Sequence, residues 1–115
     1  MNKAGKCWGC TMDVFRHNNV QINRIEIHAG GYCSEHKHEH KFNGFWVELG
    51  QLEVDVWKND YDMVDTTCLS RQEFLVVAPG EYHRFRALTQ VVAYEIYWTE
   101  LEESDIQRKS CGGKD

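Results

Sequence analysis

The sequence predicts an all-β sandwich or barrel, and three observations carry that expectation. Residues 51–58 (QLEVDVWK) place Leu52, Val54 and Val56 on one face and Glu53, Asp55 and Trp57 on the other. That period of two belongs to a half-buried strand. Further short β-rich runs recur along the chain, most of them closed by glycine, proline or an Asn/Asp cluster. Only one stretch, close to the C-terminus, reads as helix.

Taken in order, residues 20–28 (VQINRIEIH) are the first strand. Ile25 and Ile27 share one face, with Arg24, Glu26 and His28 on the other. Val20 and Ile22 have the opposite parity to the two isoleucines, which calls for a bulge near Asn23 or a strand with two working faces. Ala29-Gly30-Gly31 breaks it. Residues 42–49 (FNGFWVEL) form the next strand and end at Gly50. After the 51–58 strand, residues 59–62 (NDYD) form a turn. Residues 74–77 are a short fully apolar strand closed by Pro79-Gly80, residues 82–86 alternate again, and residues 91–98 are a last strong strand. In 104–109, a Ser-x-x-Gln capping box with an acid early and bases late predicts a short C-terminal helix stopped by Gly112-Gly113.

At 115 residues, 42% hydrophobic and 12% aromatic, the chain predicts one domain with a real core. The core falls in about 20–98, between an N-terminal segment over 1–19 and a helix and tail over 99–115. A net charge of −5 lacks the basic footprint of a nucleic-acid binder. The longest apolar run, the five residues 74–78, is far below a membrane span of about 20. The first six residues hold no apolar stretch for a secretory signal, and five cysteines cannot all pair within one chain. A cytoplasmic protein with reduced thiols is therefore expected. Cys7 and Cys10 make a CxxC, but no second pair or downstream HxxxH partner accompanies it, and no strand is predicted before it. They read as free thiols at the N-terminal edge.

Chemistry concentrates in Glu35-His36-Lys37-His38-Glu39-His40. On an extended chain, i and i+2 share a face, so these imidazoles are able to point one way as half of a metal site. A solvated, charge-alternating turn is the competing reading. The surrounding frame favours the metal. Gly30, five residues, His36-x-His38, four residues, Asn43, six residues and Gly50 resembles the first motif of the cupin superfamily, G(x)5HxH(x)3–4E(x)6G. Pro79-Gly80-Glu81-Tyr82-His83 resembles the second, G(x)5PxG(x)2H(x)3N. The chain departs at Asn43, where the motif has Glu, at Gln72 for the opening Gly of motif two, at Pro79, displaced by one, and at Ala87 for its Asn. Only Asn43 concerns chemistry, because the other three concern turns.

The resemblance implies a single-domain jelly-roll barrel. In it His36, His38 and His83 converge on a divalent metal such as iron, zinc, manganese or nickel, with Asn43 offering at best a neutral oxygen. Without the carboxylate such an ion keeps its full charge, binding less tightly while attracting anionic chelating ligands more strongly. Phe45, Val47 and Leu49 share parity with Asn43, and Phe85 shares it with His83, which makes them expected walls of a small-ligand pocket. His40 is a further ligand or a group beside the site. Arg24 and Glu26 are candidate substrate contact and general base, against a solvated or dimer-facing strip. Glu95, an acid within VVAYEIYW, is a pocket carboxylate or the mark of a water-facing side. Tyr82, Tyr94, Tyr97 and Trp98 read as core or interface aromatics, and Arg84 and Arg86 as outward-pointing. The expected function is a metal-dependent enzyme on a small polar metabolite, of dioxygenase or sugar-isomerase type. The competing expectation is a non-catalytic cupin that binds a small molecule. Homodimerisation through a sheet edge is expected as well.

Overall fold

The computed structural model describes residues 3–58, 63–99, 105, 107 and 109–114. Among them every helix or strand is a strand: β1 (Lys3–Lys6), β2 (Gly9–His17), β3 (Val20–Ile27), β4 (Phe42–Leu49), β5 (Leu52–Trp57), β6 (Val64–Leu69), β7 (Phe74–Val77), β8 (Tyr82–Ala87) and β9 (Val91–Trp98). The expected helix over 104–109 falls largely outside the described residues, as does the turn at 59–62. No helix among the described residues is long and apolar enough to cross a membrane.

A six-stranded antiparallel sheet runs β1-β2-β3-β9-β4-β7, and a three-stranded one runs β6-β5-β8. The chain steps between sheets at β4–β5, β6–β7, β7–β8 and β8–β9, the winding of a jelly roll. At the first of these steps Gly50 has φ +88°, and a Cβ there would lie 2.1 Å from the Gln90 carbonyl oxygen. Only glycine makes that turn. Gln72, which replaces the motif glycine, also sits in the left-handed region at φ 67°.

Inward-facing Ile25, Ile27, Phe45, Val47, Val54, Phe85 and Ala93 close the core between the sheets. The Trp8 ring packs edge-on against Phe85 at 5.0 Å. Trp8 belongs to a hairpin that corrects the sequence reading. Cys7 and Trp8 form the β1–β2 turn and Cys10 lies within β2, so the CxxC does not precede the first strand. The bulge expected near Asn23 lies on the neighbouring strand, where the register slips between Asp13 and Phe15. β3 itself runs in unbroken register against β9. It therefore works on both faces, with Gln21, Asn23, Ile25 and Ile27 inward and Val20, Ile22, Arg24 and Glu26 outward. On the outer face Phe15, Ile22, Ile96, Gly44 and Val76 form one transverse apolar row across five strands.

Candidate metal centre

The segment before β4 carries His36 and His38 and is stitched along β8. Gly30 N–H donates to the Ala87 carbonyl (2.8 Å), Cys33 N–H to Phe85 (3.2 Å) and His36 N–H to His83 (3.0 Å), while His83 N–H donates back to His36 (2.8 Å). At the Pro79-Gly80 turn, Gly80 N–H donates to the His38 carbonyl at 2.7 Å. This lacing holds the HxH in extended form, with both rings on the side of His83. Ring centroids are 4.4 Å apart for His36–His83, 5.1 Å for His36–His38 and 5.4 Å for His38–His83. One nitrogen from each ring lies within 4.8 Å of the other two.

Hydrogen bonds select the tautomers. His36 Nδ1 lies 2.7 Å from the Ser34 carbonyl oxygen and His83 Nδ1 lies 3.0 Å from that of Glu81. A carbonyl only accepts, so each Nδ1 carries the proton and each Nε2 keeps a lone pair. His83 Nε2 faces Asn43 Oδ1 at 3.1 Å, while Asn43 Nδ2 donates to the Gly44 carbonyl at 3.3 Å. Two acceptors thus face one another with no proton between them. His38 Nε2 is buried with no hydrogen-bond partner. Burial, helped by Lys41 and the neighbouring imidazoles, pushes His38 down to about 4. Burial likewise lowers His83, against the opposing pull of the Glu81 carbonyl. Neutral imidazoles with converging lone pairs, and an amide oxygen aimed at one of them, are a donor set that fits a divalent cation.

Glu95 lies behind this cluster, opposite Asn23 on one side and Phe45 on the other. Burial pushes its carboxyl above the ordinary value, against the Tyr97 hydroxyl, His36 and the Asn43 amide, which favour the charged form. Tyr97 Oη–H donates to Glu95 Oε2 at 2.7 Å, and burial beside that carboxylate raises the phenol strongly. The Tyr97 ring meets His38 edge-on at 5.3 Å and carries the Lys41 ammonium over its face at 4.1 Å. Outside it opens a cleft of about 540 Å³, walled by residues 37–41, the β2–β3 turn, Tyr97 and Trp98.

His36, His38, His83 and Asn43 are therefore brought together, with Glu95 adjoining. His40 lines the cleft but stands outside the three-histidine group. The remaining predicted residues lie elsewhere. Phe45, Val47 and Phe85 are core residues, at most 2% exposed, and do not line the cleft, because side chains from both sheets fill the barrel beneath the histidines. Phe45 instead supports the His83 ring from below at 6.2 Å. Leu49 is 52% exposed, turned out by a register slip after Val47. Arg24 and Glu26 face away from the site, since the parity that puts Ile25 inside puts them outside. There Arg24 pairs with Glu26 and Glu48, and holds the Glu26 carboxyl below its usual range. Arg84 also points outward, to Asp55 at 3.2 Å. The sequence reading missed Tyr97 as a site residue, although it shares strand parity with Glu95.

No protein-family model and no curated protein matches the chain in sequence. Solved structures do match in shape. KdgF from Halomonas sp. aligns over 88% of this chain and 90% of its own, at 14% identity and TM-score 0.74. The Schizosaccharomyces pombe Cnp3 cupin domain aligns over 87% of this chain and 69% of its own, at 18% identity and TM-score 0.71. The chain has the cupin fold. CapF, solved with the inhibitor 3-isopropenyl-tropolone, aligns over 89% of this chain and 31% of its own, at 16% identity and TM-score 0.78. At these identities the likeness is one of fold. The candidate metal centre rests on the side chains themselves.

Proposed function

We propose that this cupin binds a divalent metal ion through His36, His38 and His83, with Asn43 Oδ1 in the place of the usual carboxylate, and acts as a metal-dependent enzyme on a small polar metabolite. The supporting observation is the meeting of His83 Nε2 and Asn43 Oδ1 at 3.1 Å without a proton between them, beside the orphaned His38 Nε2. A cation satisfies all three at once. When bound, the ion supplies Lewis acidity undiminished by a negative ligand. Of the two reaction types, proton transfer of the isomerase kind suits the chain better than oxygen chemistry. Tyr97 lines the cleft and hydrogen-bonds a buried carboxyl, an acid-base pair next to the histidines. One reading without turnover has its own support: Glu95 does not itself line the cleft. Loss of the Tyr97 hydroxyl separates the two, because a binding cupin keeps full ligand affinity in Tyr97→Phe and has no rate to lose.

The test of the metal is elemental analysis of protein purified without a nickel column, wild type beside His36→Ala/His38→Ala, with circular dichroism confirming both folded. Near-stoichiometric metal in the wild type alone is expected. Equal metal in both, or none in either after reconstitution, overturns the assignment.

The same reading includes a homodimer formed through the outer face of the large sheet. Phe15, Phe74 and Val76 on that face are each at least 40% exposed in a single copy. Light scattering at micromolar concentration should give a dimer that Ile96→Glu dissociates, and a wild-type monomer would contradict it.

A further inference from the structure

We propose that the cleft beside the histidines takes an organic anion, a small hydroxylated carboxylate held by Arg16 and Lys41. This rests on the cleft being the ligand entrance of the proposed centre. The chain carries a net charge of −5. Elsewhere Arg24 is paired with Glu26 and Glu48, Lys58 with Glu81 and Arg84 with Asp55, while Lys3, Lys6, Arg71 and Arg86 do not line the cleft. The cleft is different. It is lined by Arg16, Lys37 and Lys41 against the single carboxylate of Glu39, and Glu39 pairs with Lys37 at 3.2 Å. Arg16 and Lys41 are left without an ion pair among the described residues. An acidic protein that turns two uncompensated cations into one concavity concentrates anions there.

Both cations are placed by the fold. Arg16 pairs with inward-facing Gln21, so its side chain leaves the sheet on the concave side at the mouth. Lys41 is held over the Tyr97 ring at 4.1 Å, on the wall shared with His38. A ligand gripped by these two groups is thereby presented to His38, the member of the three-histidine group that lines the cleft. The remaining polar lining, including the amides of Asn18 and Gln21, suits hydroxyl groups. A cleft of about 540 Å³ falls within the range of small-ligand pockets, with room for several carbons beyond the carboxylate. Arginine grips carboxylate with a planar fork, while lysine acts as a point charge.

The probes are gluconate and sorbitol, which share a six-carbon hydroxylated chain and differ in the carboxylate. Titration calorimetry on wild type, Arg16→Gln and Lys41→Gln, each metal-free and zinc-loaded, reads the affinity. Zinc content of the same samples and a melting temperature for each variant accompany it. Gluconate should bind wild type more tightly than sorbitol, and each substitution should weaken gluconate by about tenfold with zinc content and melting temperature unchanged. Sorbitol binding as tightly as gluconate, gluconate binding unaltered in both variants, or no gluconate binding in either metal state overturns the proposal. The metal reading fails separately: charge-dependent gluconate binding in protein that holds no zinc supports the anion site and removes the metal.

Discussion

Along the inner face of β3, Gln21 and Asn23 give way to Ile25 and Ile27. Three other strands make the same change within about one register step. In β4 Asn43 is followed inward by Phe45 and Val47, in β8 His83 by Phe85 and Ala87, and in β9 Tyr97 and Glu95 by Ala93 and Val91. One end of the barrel is thus a close-packed apolar plug, and the other buries imidazole, amide and carboxyl groups. Asn43 and His83 are each only 1% exposed and Glu95 only 8%. Buried polar groups contribute less to folding than apolar side chains of the same size, and they cost stability wherever a partner is missing. The apolar end therefore holds the fold together, and the polar end spends part of that stability on a preorganised site.

Substitutions at the two ends should differ in kind. Phe45→Ala, at the foot of the His83 ring, should lower unfolding free energy by about 3–5 kcal/mol in a denaturant titration. A loss below about 1 kcal/mol would mean that the plug is loosely packed. At the other end, Asn43→Leu should cost metal-free stability only about 1–2 kcal/mol, for the hydrogen bonds its amide makes to the Gly44 carbonyl and Glu95. Its metal affinity should fall by about tenfold or more. A large stability loss with metal binding intact would reverse the comparison.

Acid should act on the polar end through its histidines. His38 titrates near 4 in the folded chain, against 6.5 for an ordinary histidine, and His83 is shifted the same way. Below pH 6.5 the unfolded chain then holds more protons than the folded one, so metal-free protein loses stability as pH falls from about 6.5 towards 4. His38→Gln should flatten that slope, and an unchanged slope would place the titration elsewhere. The smallest effect concerns a turn. Gln72 lies at φ 67°, where glycine relieves side-chain strain, so Gln72→Gly should raise stability by about 1 kcal/mol. A decrease would show that its side chain has a use there.

The sequence made the plug and the histidines legible for different reasons. Strands β3, β4, β5, β8 and β9 each bury at least one inward face, so hydrophobic alternation marks them. β1 is exposed throughout, β6 buries only Leu69, and β2 breaks its own parity at Val14. Such strands carry little burial signal. The three histidines were readable from spacing because backbone lacing fixes their distances. Arg24 and Glu26 take the outward-facing strip that stood as their alternative, and the parity that puts them there was already visible in Ile25 and Ile27. Tyr97 and Lys41 went unseen as site residues because their roles depend on a cleft formed by residues far apart in sequence, which no local pattern records.

X-ray absorption at the zinc edge of zinc-loaded protein tests the central claim most directly, since multiple scattering counts imidazoles around the ion. Three imidazoles with additional oxygen ligands, falling to two in His38→Gln, is the predicted result. Sulfur in the coordination shell, or one imidazole or fewer in wild type, would contradict it and leave the three rings as a buried polar cluster without an ion.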